Sequence, residues 1–162
     1  MSNDSGPSSR NALHLWAAAA NLGEVCWFFG NFYEGIVDVP RLLSDAQQQR
    51  RPGLLAPGSP LRYYAPIAPV TITATTAALS GIWRADGDRR MVVAATVSTA
   101  VAVALTGYLV RTVNVRLLSD ATPPRTSEIE QMIKTWHRAN NVRLAAVAGA
   151  LFALRRAARS VR

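Results

Sequence analysis

At 162 residues the chain has the length of one domain, and it is 49% apolar but only 17% charged, with a mean hydropathy just above zero, which leaves water-soluble and membrane classes both open. Its net charge of +8 would suit a nucleic-acid binder, yet Arg143, Arg155, Arg156, Arg159 and Arg162 flank the last apolar segment with no aromatic platform beside them, so a membrane-surface role explains them better and no nucleic-acid partner is expected. The single cysteine, Cys26, excludes an intrachain disulfide and Cys-pair redox or zinc chemistry.

The first ten residues, MSNDSGPSSR, read as a short disordered tail and not as a signal peptide. A membrane domain is expected over residues 11–156, built from helices at about 12–38, 63–83, 90–114 and 130–154, with a basic tail at 157–162. Between Tyr63 and Trp83 the only ionisable side chains are the two tyrosines, and between Met91 and Val110 the only one is Tyr108. About 20 apolar residues span a hydrocarbon layer of roughly 30 Å. Pro40 and the Gln/Arg/Pro/Gly-rich run to Pro60 break the first segment from the second, Asp86-Gly87-Asp88 makes a turn, and Pro123-Pro124 precedes the fourth, where Thr126 or Ser127 can cap. The fold class is therefore all-α, an up-down-up-down four-helix transmembrane bundle.

One side of that bundle carries Arg10, Arg84, Arg89, Arg90 and the four arginines after Leu154; the other carries Arg41, Arg50, Arg51, Arg62, Arg116, Arg125 and Lys134. The compact C-terminal arginine cluster favours a plasma-membrane location with both termini cytoplasmic. The hexapeptide RLLSDA occurs at Arg41–Ala46 and at Arg116–Ala121, and Tyr33 and Tyr108 share the same offset. This suggests two pseudo-repeated helical hairpins whose first helices leave the membrane on the same side, with each Arg at the interface and the leucines in lipid.

On a helical wheel the first helix places Asn31, Asp38, Asn21, Glu34 and His14 within about 80° of Glu24, all on one side of the helix. Ionisable groups at membrane depth face a bundle interior, so this stripe is expected to point inward. In the fourth helix Trp136, Asn140 and Arg143 share a face at i, i+4 and i+7, with His137 beside them; the third ends with Arg111 and Asn114. Counting depth from the helix ends at about 1.5 Å per residue pairs Glu24 with Arg143 and places Glu34 near His137 or Arg111. These groups, with Trp27, Tyr33, Tyr64 and Trp136, would line a polar pocket opening on the RLLSDA side. Neither the two histidines nor any motif has metal-site spacing, so no metal is expected.

The chain resembles the anthrone oxygenase-like family of small four-helix membrane proteins. The resemblance is carried by Tyr64-Ala65-Pro66-Ile67-Ala68-Pro69, by Arg111 to Arg116, and most by Trp136, Asn140 and Arg143 in WHRANNVR, and covers most of residues 12–154. It implies cofactor-free oxidation of an anthrone-like aromatic polyketide by O2. Proton abstraction would need a base within hydrogen-bond reach, for which Glu34 or His137 is suited, with Glu24 and Arg143 as orienting pair. Arg143, Arg111, Asn140 and Asn31 could hold the oxyanion and Trp136, Trp27 and Tyr33 a flat ring, with Asn114 and Tyr64 as further substrate-binding residues. Three alternatives stay open: a non-catalytic membrane protein binding a lipophilic ligand or partner, a proton-coupled transporter, which would need to form a homo-oligomer, and a soluble bundle.

Overall fold

A computed structural model describes residues 7–49, 60–119 and 124–161. The fold is all-α: α1 (Pro7–Ile36), α2 (Val39–Gln49), α3 (Pro60–Arg84), α4 (Arg89–Leu109), a π-helical turn (Val110–Asn114), α5 (Val115–Ser119) and α6 (Thr126–Arg159), with no strand among the described residues. Residues 1–6 of the expected tail, Arg50, Arg51, Asp120, Ala121, Pro123 and Arg162 lie outside the described residues.

Several boundaries differ from the sequence reading. Helix α1 starts at Pro7, inside the stretch read as a tail. Pro40 does not end helical structure but opens it. Asp38 adopts a left-handed conformation with φ 52°, which a short polar side chain tolerates, and the chain re-enters a helix in whose first turn Pro40 lacks no needed N–H. At the start of α6 neither Thr126 nor Ser127 is the cap; Arg125 takes that place, and its backbone N–H donates to Glu128 Oε2 at 3.3 Å. The turn between α3 and α4 follows expectation, with Asp88 accepting from the backbone N–H groups of Arg90 and Met91.

The inward face of α1 comprises Ala17, Ala20, Glu24, Trp27, Asn31 and Glu34, a strict 3-4-3-4-3 spacing that marks a coiled-coil-like seam. Small residues on the facing helices (Ala74, Ala78, Ala95, Ala102, Ala150, Ala153, Ala157) are buried with it and let backbones approach as helices in membranes do. Gly23 faces Thr71 so closely that a Cβ would collide with its side chain, and a Cβ on Gly30 would lie 2.5 Å from the Tyr64 hydroxyl. These contacts make α1 antiparallel to α3. The Glu34–Arg143 and Asn21–Arg155 contacts make α1 antiparallel to α6, and Asp88–Ser160 with the approach of Gly149 to Ser98 does the same for α4 and α6. Helices α3 and α4 meet over far less of their length than α1–α3 or α4–α6.

Burial repeats with the period of the repeated hexapeptide. Ala17, Ala20, Glu24, Trp27 and Glu34 are buried, and so are Val92, Ala95, Thr99, Ala102 and Leu109, each 75 positions later; Thr75, Ala78, Leu79 and Ile82 are matched by Ala150, Ala153, Leu154 and Ala157. The hexapeptides themselves depart from this rule. Leu42 is exposed while Leu117, its counterpart, is fully buried with Leu43, Leu109, Val113, Met132 and Trp136, so Leu43 and Leu117 serve the interior and not a lipid boundary.

Two helical stretches, Arg62–Arg84 and Arg89–Leu117, are long and apolar enough to cross a membrane. Only 33% and 28% of their most apolar windows are buried, far from the covered state of a soluble core helix. Large apolar side chains also project outward from α1 and α6, among them Leu15, Leu22, Phe29, Phe32 and Phe152.

Candidate functional site

Three polar levels are stacked along the seam of α1. At the rim, the carboxylate of Asp38 lies between His137 Nε2, 3.0 Å from Oδ1, and Arg41 Nε, 3.3 Å from Oδ2. His137 is half-buried, edge-on to Trp136.

One turn deeper, Arg143 Nη2 donates to Glu34 Oε2 at 3.1 Å, and both residues are buried. The guanidinium also donates twice to Asn140 Oδ1, at 3.1 and 2.6 Å, while Asn140 Nδ2 donates to the backbone oxygen of Asn31 at 3.1 Å. The Trp136 ring lies 5.9 Å from the guanidinium carbon, within cation–π range. Glu34, Tyr64, Thr106, Asn114, Trp136 and Arg143 line a cavity of about 40 Å³. That is room for about one or two water molecules, whereas sites for drug-sized ligands measure roughly 300–1,000 Å³.

Deepest is Glu24, fully buried where α1, α3 and α4 converge. The hydroxyls of Thr75 and Thr99 donate to Oε1 at 3.3 and 3.4 Å; Oε2 has no hydrogen-bond partner among the described residues. Thr75 and Thr99 are themselves on the wall of a groove of about 750 Å³ between α3 and α4, lined further by Ile72, Leu79, Trp83, Val103 and Arg84. The groove exists because α3 and α4 barely touch, and it brings a ligand-sized space to the hydroxyls that hold a buried carboxylate.

The pairing expected from helix depth is corrected. Arg143 pairs with Glu34, not with Glu24, and His137 pairs with Asp38, not with Glu34. The error is one of register. Helix α6 does not end level with Asp38 but runs on from His137 to Thr126, packed on α2. Level with Glu24, the antiparallel partner is residue 152 or so, about 13 Å along the axis from Arg143. Arg111 is exposed and does not approach Glu34, while Asn114 is buried against the cavity. The π turn between them advances fewer degrees per residue than an α-helix, so residues three apart no longer share a face. Tyr33, expected in the pocket, is exposed, and His14 is exposed at the far end of α1. Trp27 is buried against Ala102 and Val147, between the levels of Glu24 and Asn31.

The sequence reading missed Asp38 as the partner of His137 and Thr75 and Thr99 as the donors to Glu24. Other threonines in these helices bond their own backbone, as Thr96, Thr106 and Thr112 do. Thr75 and Thr99 differ by lying at seam spacing among buried residues, Thr71, Ala78 and Ile82 in one helix and Ala95 and Ala102 in the other, a signal present in the letters.

Comparison with family models, with curated proteins and with solved structures returned no match to this chain.

Proposed function

We propose that the chain is an integral membrane protein, a four-helix bundle of two pseudo-repeated hairpins, that binds a lipophilic molecule carrying a hydroxyl or phenolic donor. The observation that supports this most is the α3–α4 groove, whose wall hydroxyls Thr75 and Thr99 hold Glu24. An apolar body would lie along Ile72, Leu79 and Val103, and its donor would reach the hydroxyls and the carboxylate behind them. In lipid such a directed acceptor confers selectivity, because a ligand without the donor leaves it unsatisfied. The outward apolar side chains on all four long helices and the thin burial of α3 and α4 support the bilayer as surroundings. Arg84, Arg89, Arg90 and the last three arginines of α6, Arg155, Arg156 and Arg159, gather at the end where α1 begins and α6 ends, which favours a cytoplasmic, plasma-membrane-facing placement of that end.

The same site can be read as a cofactor-free oxygenase, and the Glu34–Arg143–Asn140 cluster favours it as a seat for a base and an oxyanion. Its cavity of about 40 Å³ accommodates water and not a tricyclic ring, so binding in the α3–α4 groove is the better-supported reading. A hydroxylated anthrone separates the two. Binding without oxygen uptake, seen as quenching of Trp83 fluorescence and lost in Glu24→Gln, is the expected result. Oxygen consumption that disappears in Glu34→Gln or His137→Ala would establish the enzyme. Absence of both would refute the binding proposal.

A further inference from the structure

The 75-residue repeat carries one groove onto another. A cleft of about 700 Å³ lies between α1 and α6, lined by Ala17, Asn21, Arg155, Ala158, Arg159 and His14. Moving its residues by 75 positions, forward from α1 and back from α6, turns Ala17 into Val92, Asn21 into Thr96, Arg155 into Ser80, Ala158 into Trp83 and Arg159 into Arg84, and all five of these line the α3–α4 groove. The two clefts are counterparts about the pseudo-two-fold axis. Each keeps an arginine at the same position, Arg84 in one and Arg159 in the other, and between them the chemistry has diverged. Where the first groove has Ser80, Trp83 and Thr96, the second has a second arginine, an alanine and an amide.

We infer that the α1–α6 cleft is a second, anionic-lipid site, in which Arg155 and Arg159 bind the phosphate of a phospholipid while its acyl chain lies on Ala17, Ala18 and Ala158. The lining contains two guanidinium groups and no carboxylate. Arg155 is held in place: its Nε donates to Asn21 Oδ1 at 3.0 Å, and Asn21 Nδ2 donates to the backbone oxygen of Ala17 at 2.7 Å, which fixes the amide. Nε is thereby committed, and the two terminal nitrogens of Arg155 have no such constraint from Asn21. A guanidinium presents a planar donor fork that matches phosphate oxygens. The small alanine floor gives an acyl chain close contact with the helix backbones, and Leu15 and Leu22 are exposed on the neighbouring face of α1. Basic pockets between helices at one membrane face are where anionic headgroups bind.

The inference rests on the bundle lying in a bilayer. It is tested by native mass spectrometry of the full chain released from nanodiscs with equal amounts of phosphatidylglycerol and phosphatidylcholine. Retention of phosphatidylglycerol is expected to exceed that of phosphatidylcholine by about thirtyfold, as two headgroup-facing arginines would give. The preference should vanish in the double variant Arg155→Gln/Arg159→Gln and return in part with Arg155→Lys/Arg159→Lys. Equal retention of the two lipids, or a preference unchanged in the glutamine variant, overturns the site. Inorganic phosphate that displaces the bound phosphatidylglycerol would overturn the lipid assignment in favour of a soluble phosphate. A chain that does not enter nanodiscs overturns the membrane reading and this site together, whereas one that enters and shows no preference overturns this site alone.

Discussion

Arg143 and Glu34 meet at 3.1 Å across the α1–α6 interface, and the same guanidinium clasps Asn140, whose amide ties back to the Asn31 backbone. Both charges are out of solvent, so each depends on the other, and removing one leaves the other buried and uncompensated. Glu34→Gln or Arg143→Gln should each destabilise the protein by about 3–5 kcal/mol. The double variant Glu34→Gln/Arg143→Gln should cost less than the two single changes together. Unfolding in mixed micelles, followed by tryptophan fluorescence, gives all three values. A near-additive cycle would mean the pair is not coupled.

The close approach of α1 to α3 at Gly23 makes a second prediction. A Cβ there collides with Thr71 at its Cβ and both branch atoms, so no simple rotamer change relieves it. Gly23→Ala should cost about 1–3 kcal/mol by overpacking, and Thr71→Ala in the same chain should recover most of it. Equal stability of Gly23→Ala and wild type would show that the helices are farther apart than described.

The donors to Glu24 should matter together more than singly. Thr75 and Thr99 share one carboxylate oxygen. Either Thr→Val change leaves the other hydroxyl in place, and each should cost about 1 kcal/mol. Both together strip a fully buried carboxyl of its described donors and should cost more than the sum. The same unfolding assay checks this, and strictly additive losses would count against a shared acceptor.

The rim behaves differently. The Asp38–His137 pair is roughly a third exposed on both sides, where ion pairs contribute about 0–1 kcal/mol and weaken with salt. Asp38 also has a positive φ, so Asp38→Gly should be tolerated, with any lost pairing offset by an unstrained turn. Asp38→Val, which loses the pair and adds β-branching at that φ, should be clearly worse. Melting temperatures of the two variants rank them, and the reverse order would refute this account of the α1–α2 turn.

What the letters carried and what they withheld can be traced to particular residues. Burying two carboxylates and an amide in an apolar helix has one economical solution, so the spacing of Glu24, Asn31 and Glu34 identified the inward face. Trp136, Asn140 and Arg143 share a face for the same reason, and the structure buries all three. Which groups touch depended on axial register, and register was set by elements with no strong signal. Helix α2 carries Pro40 in its first turn, a residue that reads as a breaker, and the π turn shows no mark in the sequence of Val110 to Asn114. Together they moved His137 onto Asp38, turned Arg111 outward, and gave Arg143 to Glu34. The RLLSDA repeat was the visible part of a wider pattern: outside those six letters identity at the 75-residue offset is scattered, as at Ala20 and Ala95 or Leu79 and Leu154, while burial repeats along both hairpins.

The central claim is that all four long helices, and not only the two most apolar ones, lie in lipid with their polar seam turned inward. Spin labels at Leu22→Cys on α1 and Phe152→Cys on α6, introduced with Cys26→Ser and read by power saturation in liposomes, test it most directly, because both positions are strongly exposed, Leu22 is at the middle of α1, and the Asn21–Arg155 contact puts Phe152 within about a turn of its level. High accessibility to oxygen and low accessibility to a water-soluble nickel chelate at both positions is the expected result. Chelate accessibility at either position would place that helix in water and contradict the bundle described.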